Sequence, residues 1–271
     1  MDIQWPLVLY TTLIALGSGL FIFVAVLEVA GKINDIRRLG TIIALAALVL
    51  GGCASLLHLE HPGRIFGVFN NLGSPLGMEL VFLALTVIVA VVFLFTLKPE
   101  PTMLTKVLAV LGIIAAAGLM LVAGNLYVLS ARPAWSTGFL PLSYLVSAFV
   151  LGIFMGYTLL AAKKGDEALL KSVKWAALIL LALQAAVTIV YAMNLGAIAN
   201  FELPEGNIVT LFWGVVIAVG IVVPIVVALI PGLAKKTPLA VAGVGLVCVL
   251  AGGVAARAIM YLIGTVPPLP F

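Results

Sequence analysis

The sequence predicts an all-α integral membrane protein of eight transmembrane helices, arranged as two four-helix bundles. Three observations predict it. Of the 271 residues, 64% are hydrophobic and only 9% are charged, whereas soluble domains carry about 25% charge. The apolar residues also gather into eight runs, each near the roughly 20 residues that a helix needs to cross a bilayer. Finally, the basic residues lie almost entirely in alternate loops, as they do in polytopic membrane proteins.

The runs cover 6–30, 39–59, 76–97, 103–129, 140–162, 173–198, 208–230 and 238–263. Prolines open several of them, at Pro6, Pro75, Pro141 and Pro238, where the missing N–H costs a helix nothing. Small residues in GGCAS (51–55), at Gly152 and Gly156, and in AGGVAA (251–256) allow helix backbones to approach closely in lipid. Short loops leave little chain for a soluble domain, and none has the composition of a nucleic-acid-binding tail. Cys53 and Cys248 stand alone within runs, which excludes a disulfide framework and a cysteine metal cluster.

The loops after the first, third, fifth and seventh runs hold Lys32, Arg37, Arg38, Lys98, Lys106, Lys163, Lys164, Lys171, Lys174, Lys235 and Lys236. The opposite side holds Arg64, Arg132 and Arg257. By the positive-inside rule the first set is cytoplasmic, so the chain is expected in the cytoplasmic (inner) membrane with both termini outside. MDIQWPL has no basic segment and leads into a run too long for a signal peptide, so it reads as a retained helix.

WPLVLYTTLIALG, ending at Gly17, aligns with LPLSYLVSAFVLG, ending at Gly152, so that Pro6, Leu7, Thr12 and Gly17 fall on Pro141, Leu142, Ser147 and Gly152. This suggests a parallel repeat, with residues 1–135 forming one bundle and 136–271 the other. The alternative is coincidence, since proline at helix starts and glycine within membrane helices are both common.

Both histidines of the chain lie in SLLHLEHPGR (55–64), beside Glu60 and Arg64. Ionisable groups in or near a bilayer are costly and point to function. His58 ends the second run, Arg64 follows the helix-breaking HPG, and Glu79 lies about one turn into the third run. Arg257 and Tyr261 share a face of the eighth run, and Arg132 and Trp135 occupy the loop SARPAWST. All face one side, while the midplane holds little beyond Ser18, Thr86, Gln184 and Thr188. An ion-coupled transporter usually keeps its polar site at the midplane. A protein that exchanges electrons and protons with a lipid-soluble carrier needs it at one face.

A quinol oxidation site must hydrogen-bond two ring oxygens, accept two protons and leave the tail in lipid. His58 suits the proton step, Glu79 suits a second acceptor or relay, and Arg64 and Arg257 suit an orienting or charge-balancing role. The bland alternatives are a His58 that only caps a helix end and a Glu79 that is an ion-pair partner of Arg64 or Arg257. Trp5, Tyr127, Trp135 and Tyr261 read as interfacial belt residues with at most a supporting role. Glu28 reads as an i,i+4 partner of Lys32. Arg64, Arg132 and Arg257, with Glu60, Glu202 and Glu205, form a candidate docking face. His58 and His61 are too close in sequence to straddle a haem, so no haem and no metal are expected, and electrons must leave for a partner.

These residues resemble the membrane anchor subunit of the dimethyl sulfoxide reductase type of molybdoenzyme, distantly related to polysulfide and nitrite reductase anchors. Ser55, His58, Pro62, Arg64, Asn70, Ser74, Leu76 and Glu79 carry the match; RPAWSTGFLPLSYL and ARAIMYLIG are similar to further family segments. The resemblance implies a haem-free anchor that oxidises menaquinol near the outer face and feeds an iron–sulfur subunit. That subunit in turn serves a molybdopterin catalytic subunit in anaerobic respiration. It implies His58 as quinol and proton ligand and Glu79 as its acidic partner, with Arg64, Trp135, Arg257 and Tyr261 around the quinol. His61 and Glu60 depart from the family pattern and leave open whether His61 shares the role. The rival functions are a secondary transporter and an inert anchor without a quinol site.

Overall fold

The computed structural model describes residues 3–32, 36–57, 62–198 and 207–264. Eight long apolar helices, each able to cross a bilayer by length and composition, account for most of them, and there is no strand among the described residues. They are α1 (Trp5–Val29), α2 (Ile36–Leu56), α3 (Pro75–Thr96), α4 (Met103–Asn125), α5 (Phe139–Ala162), α6 (Glu167–Gly196), α7 (Ile208–Leu229) and α8 (Pro238–Ile263). The hydropathy runs and the helices agree to within a few residues, except that α6 begins at Glu167, well before the run at Val173. Asp166 explains the difference: its carboxylate accepts from Leu169 N at 3.0 Å and caps the early start. A 3-10 segment, Pro62–Asn70, links α2 to α3.

The most enclosed helix is α1, which packs on α2, α4, α5 and α8. Around it, α2 meets α3 and α3 meets α4; on the other side α5 meets α6 and α8, and α8 meets α7. The α1–α5 crossing depends on two glycines. A methyl group on Gly19 would lie 1.8 Å from the Ala148 carbonyl oxygen, and one on Gly152 would lie 2.0 Å from the Gly19 carbonyl carbon. Small residues let two backbones touch where lipid supplies no hydrophobic drive. Large apolar side chains such as Phe95, Met103, Ile179 and Val247 point outward instead.

At the lysine-rich end, one ion pair joins the first four helices. Arg37 Nε lies 2.6 Å from Glu28 Oε2, and both side chains are buried. Arg37 Nη2 donates to Glu28 Oε1 at 2.9 Å, and Arg37 Nη1 donates to the carbonyls of Lys98 and Pro99 just beyond α3, at 3.0 Å each. Thr105 of α4 also donates to Glu28. The expected helical pair with Lys32 is therefore corrected: Arg37, drawn in from the start of α2, is the basic group that holds this carboxylate. A buried carboxylate is stable only when paired and hydrogen-bonded, and a planar guanidinium with several donors meets that demand better than an ammonium.

In α7 the stretch Leu211–Val222 is wound as a π-helix, and ordinary α-helix resumes at Val223. Pro224 follows at once. It has no N–H to return to the chain and crowds the carbonyl four residues back, that of Gly220, which favours a wider winding upstream.

Candidate functional site: a buried carboxylate, a tyrosine cluster and a cavity

The segment SPLGME sets one carboxylate inside the protein. Ser74 is the N-cap of α3, its Oγ accepting from Gly77 N at 3.1 Å, and Pro75 takes the first helical position. Gly77 lets the first turn pack on the preceding chain: a methyl group there would lie 2.6 Å from Asn71 O and 2.7 Å from Leu72 Cα. One turn on, Glu79 is 2% exposed. The Tyr10 hydroxyl of α1 faces it, and Oε1 has no hydrogen-bond partner among the described residues. No described arginine or lysine forms a salt bridge with it. Arg257 is thus ruled out as its ion-pair partner.

Beyond Glu79 lies a cluster of buried aromatic side chains from four parts of the chain. Tyr10, Tyr127, Tyr144 and Tyr261 all lie within electrostatic reach of the carboxylate. Tyr261 of α8 donates to the Tyr127 hydroxyl at 2.6 Å. The Tyr127 ring meets Trp135, Tyr144 and Tyr261 at centroid distances of 5.5, 6.0 and 5.6 Å. Trp135 Nε1 donates to Met260 O at 2.8 Å, and Arg132, stacked 4.4 Å over the Trp135 ring, donates to Gly264 O at 2.7 Å. Tyr191 of α6 closes the set by donating to Ala134 O at 2.8 Å. Trp135, Tyr127 and Tyr261 are consequently interior residues rather than an interfacial belt; each polar tip finds a partner, which makes burial of the ring favourable. Trp5 does stay exposed.

Arg257 lies on the far side of this cluster. It is 4% exposed, which removes it from any docking face. Nη2 donates to Ser147 Oγ of α5 at 2.9 Å and Nη1 to Gly253 O at 3.1 Å, with the guanidinium 5.4 Å from the Tyr144 ring centre. Its Nε has no hydrogen-bond partner among the described residues. Beside it, helices α5 to α8 line a partly open cavity of about 460 Å³, mostly apolar but with Ser143, Ser147, Gln184, Thr188 and Arg257 in its walls.

The structure therefore brings Glu79, Trp135 and Tyr261 into one region, with Arg257 adjoining it across Tyr144. His58, Glu60, His61, Glu202, Glu205 and the Arg64 side chain lie outside the described residues. Tyr10, Tyr144 and Ser147 were missed by sequence reasoning. Ser147 had a signal, since it is the partner of Thr12 in the proposed repeat; a tyrosine near a helix end has none that separates it from a belt residue. Among the described residues no group of His, Cys, Asp and Glu side chains is placed to hold a metal ion.

No curated protein matches the chain. The sequence pattern of the DMSO reductase anchor subunit (DmsC) family matches residues 1–263, nearly the full length. Eight apolar helices, the SPLGME carboxylate and this match converge: the chain belongs to the DMSO reductase anchor subunit (DmsC) family, and its architecture is that of a multi-spanning membrane anchor.

Proposed function

We propose that this anchor oxidises menaquinol and passes the electrons to an iron–sulfur subunit, which supplies a molybdopterin catalytic subunit outside the cytoplasmic membrane. His58 and Glu79 take the two protons and release them on the outer side. Arg64, Trp135, Arg257 and Tyr261 complete the surround. The observation that carries this reading is Glu79: buried, without a basic partner among the described residues, and holding an unoccupied acceptor oxygen beside the Tyr10 hydroxyl. A purely structural carboxylate at such depth is expected to lie against a cation, as Glu28 lies against Arg37. An oxygen left free beside a hydroxyl is suited to receive a hydrogen bond and then a proton from a substrate.

The two ends divide the work in this proposal. Both termini and the Glu79 end face outward, where the redox partner docks, and the lysine-rich end faces the cytoplasm. Helices α1 to α4 form one bundle and α5 to α8 the other; the neighbour relations α1–α2–α3–α4–α1 and α5–α6–α7–α8–α5 support that division. Iron–sulfur clusters and molybdopterin belong to the partners, and this chain holds the quinol.

The test is quinol-dependent electron transfer in membranes containing the assembled complex, with wild type compared against His58→Ala and Glu79→Gln. The expected result is loss of quinol oxidation while the catalytic partner stays attached and active with an artificial donor. Unchanged quinol oxidation in both variants overturns the assignment and leaves an inert anchor.

A further inference from the structure

The cavity among α5 to α8 adjoins the Glu79 region across Tyr144, and apart from Arg257 the quinol-oxidation reading gives its polar lining no part. Two of its atoms are unmatched among the described residues: Arg257 Nε is a buried donor without an acceptor, and Gln184 Oε1 is a buried acceptor without a donor. Other polar groups around them already have partners: Arg257 Nη2 and Nη1 reach Ser147 and Gly253, and Gln184 Nε2 donates to Thr188 Oγ1 at 3.1 Å. Buried polar groups are normally satisfied, and an orphan donor and an orphan acceptor in one chamber call for a ligand that complements both. That ligand carries an oxygen that accepts and a hydroxyl that donates. The rest of the lining, including Leu140, Val150, Val216 and Val249, is apolar and suits a ring and a hydrocarbon tail.

The walls supply a route. Helices α6 and α7 pack on each other much more sparsely than α6 packs on α5 or α7 packs on α8. On the α7 side the wall includes Phe212, Trp213, Val216 and Gly220, all within the π-wound stretch, and such windings recur at functional sites. A molecule dissolved in the bilayer can enter between these two helices.

We propose that this cavity is a second binding site, for the ring of a hydroquinone with an apolar tail: Arg257 Nε donates to one ring oxygen, and a ring hydroxyl donates to Gln184 Oε1. An anionic phospholipid headgroup fits less well. The single cation has already committed both terminal nitrogens to the protein, and the chamber offers one N–H and one amide oxygen rather than a cluster of donors. The site shares Arg257 with the surround proposed for Glu79, lies across Tyr144 from that carboxylate, and does not depend on quinol oxidation there.

The experiment is anaerobic photolabelling of the full chain in phosphatidylcholine nanodiscs with a naphthohydroquinone carrying a diazirine on its tail, followed by peptide mapping. Label is expected on the α5 to α8 lining, competed by unlabelled menaquinol. Losing one hydrogen bond to the ring, in Gln184→Leu, or filling the chamber, in Ala192→Phe, is expected to cut that labelling about tenfold or more without changing the melting temperature. Glu79→Gln is expected to leave it intact. Absence of label from the lining, indifference to both variants, or displacement by phosphatidylglycerol as readily as by menaquinol overturns the proposal. Loss of the cavity label in Glu79→Gln overturns its separateness, whereas intact quinol oxidation in that variant speaks only against the Glu79 reading.

Discussion

The hydroxyls of Tyr261 and Tyr127 meet at 2.6 Å, joining the last membrane helix to the loop that leaves α4. These residues are far apart in the chain, so the bond closes the aromatic cluster across the two halves. Tyr261→Phe removes the donor and leaves the buried Tyr127 hydroxyl unsatisfied, at an expected cost of about 1–3 kcal/mol. Tyr127→Phe added to it removes the orphan as well. The two substitutions together are therefore expected to cost less than the sum of each alone, with a coupling of about 1 kcal/mol in thermal or denaturant melts in detergent. Strict additivity would show that the bond contributes nothing.

At the opposite end the Glu28–Arg37 pair is the counterpart of that closure. Arg37→Leu leaves a fully buried carboxylate without its guanidinium, and an uncompensated buried charge is expected to cost roughly 3–5 kcal/mol. Glu28→Leu combined with Arg37→Met removes both charges and is expected to recover most of the loss. A double variant as unstable as Arg37→Leu would mean that the carbonyls of Lys98 and Pro99, rather than Glu28, are what Arg37 serves.

These two contacts also mark where the sequence could be read and where it could not. Helix number and span positions followed from hydropathy alone, because in a bilayer the backbone must satisfy itself and the length of an apolar run sets the element. Glu79 was legible too, since SPLGME reads as a cap followed by a carboxylate one turn in. Glu28 was misread: spacing along one helix points to Lys32, and only tertiary packing brings Arg37 across from α2. The burial of Tyr127, Trp135 and Tyr261 was illegible for the same reason. An aromatic residue near a helix end looks identical in sequence whether it meets lipid headgroups or three other rings.

The crossing of α1 and α5 is predicted to be the least tolerant packing site. A methyl group at Gly152 falls on Gly19 backbone atoms, which cannot rotate away as a side chain can. Gly152→Ala is therefore expected to force the helices apart and cost about 1–3 kcal/mol or more. Gly243 provides the control: it lies in α8 with open space around the added carbon, so Gly243→Ala is expected to leave the melting temperature unchanged or slightly raised. Equal melting of the two variants would show that the crossing is looser than the structure has it.

Tyr10 offers the sharpest probe of the proposed chemistry at Glu79. Its hydroxyl faces the carboxylate from α1, and Glu79 Oε1 has no hydrogen-bond partner among the described residues. Tyr10→Phe keeps the ring and the packing but removes the group that orients Glu79. In the assembled complex, Glu79→Gln takes away the proposed proton acceptor and is expected to lower the quinol oxidation rate by about a hundredfold or more. Tyr10→Phe leaves the acceptor in place but free to swing, so the expected loss is smaller, about the tenfold that one lost hydrogen bond represents. Because Tyr10 acts only through Glu79, adding Tyr10→Phe to Glu79→Gln is expected to cause no further loss. If the two losses multiply instead, Tyr10 contacts the quinol directly and belongs to the binding site in its own right.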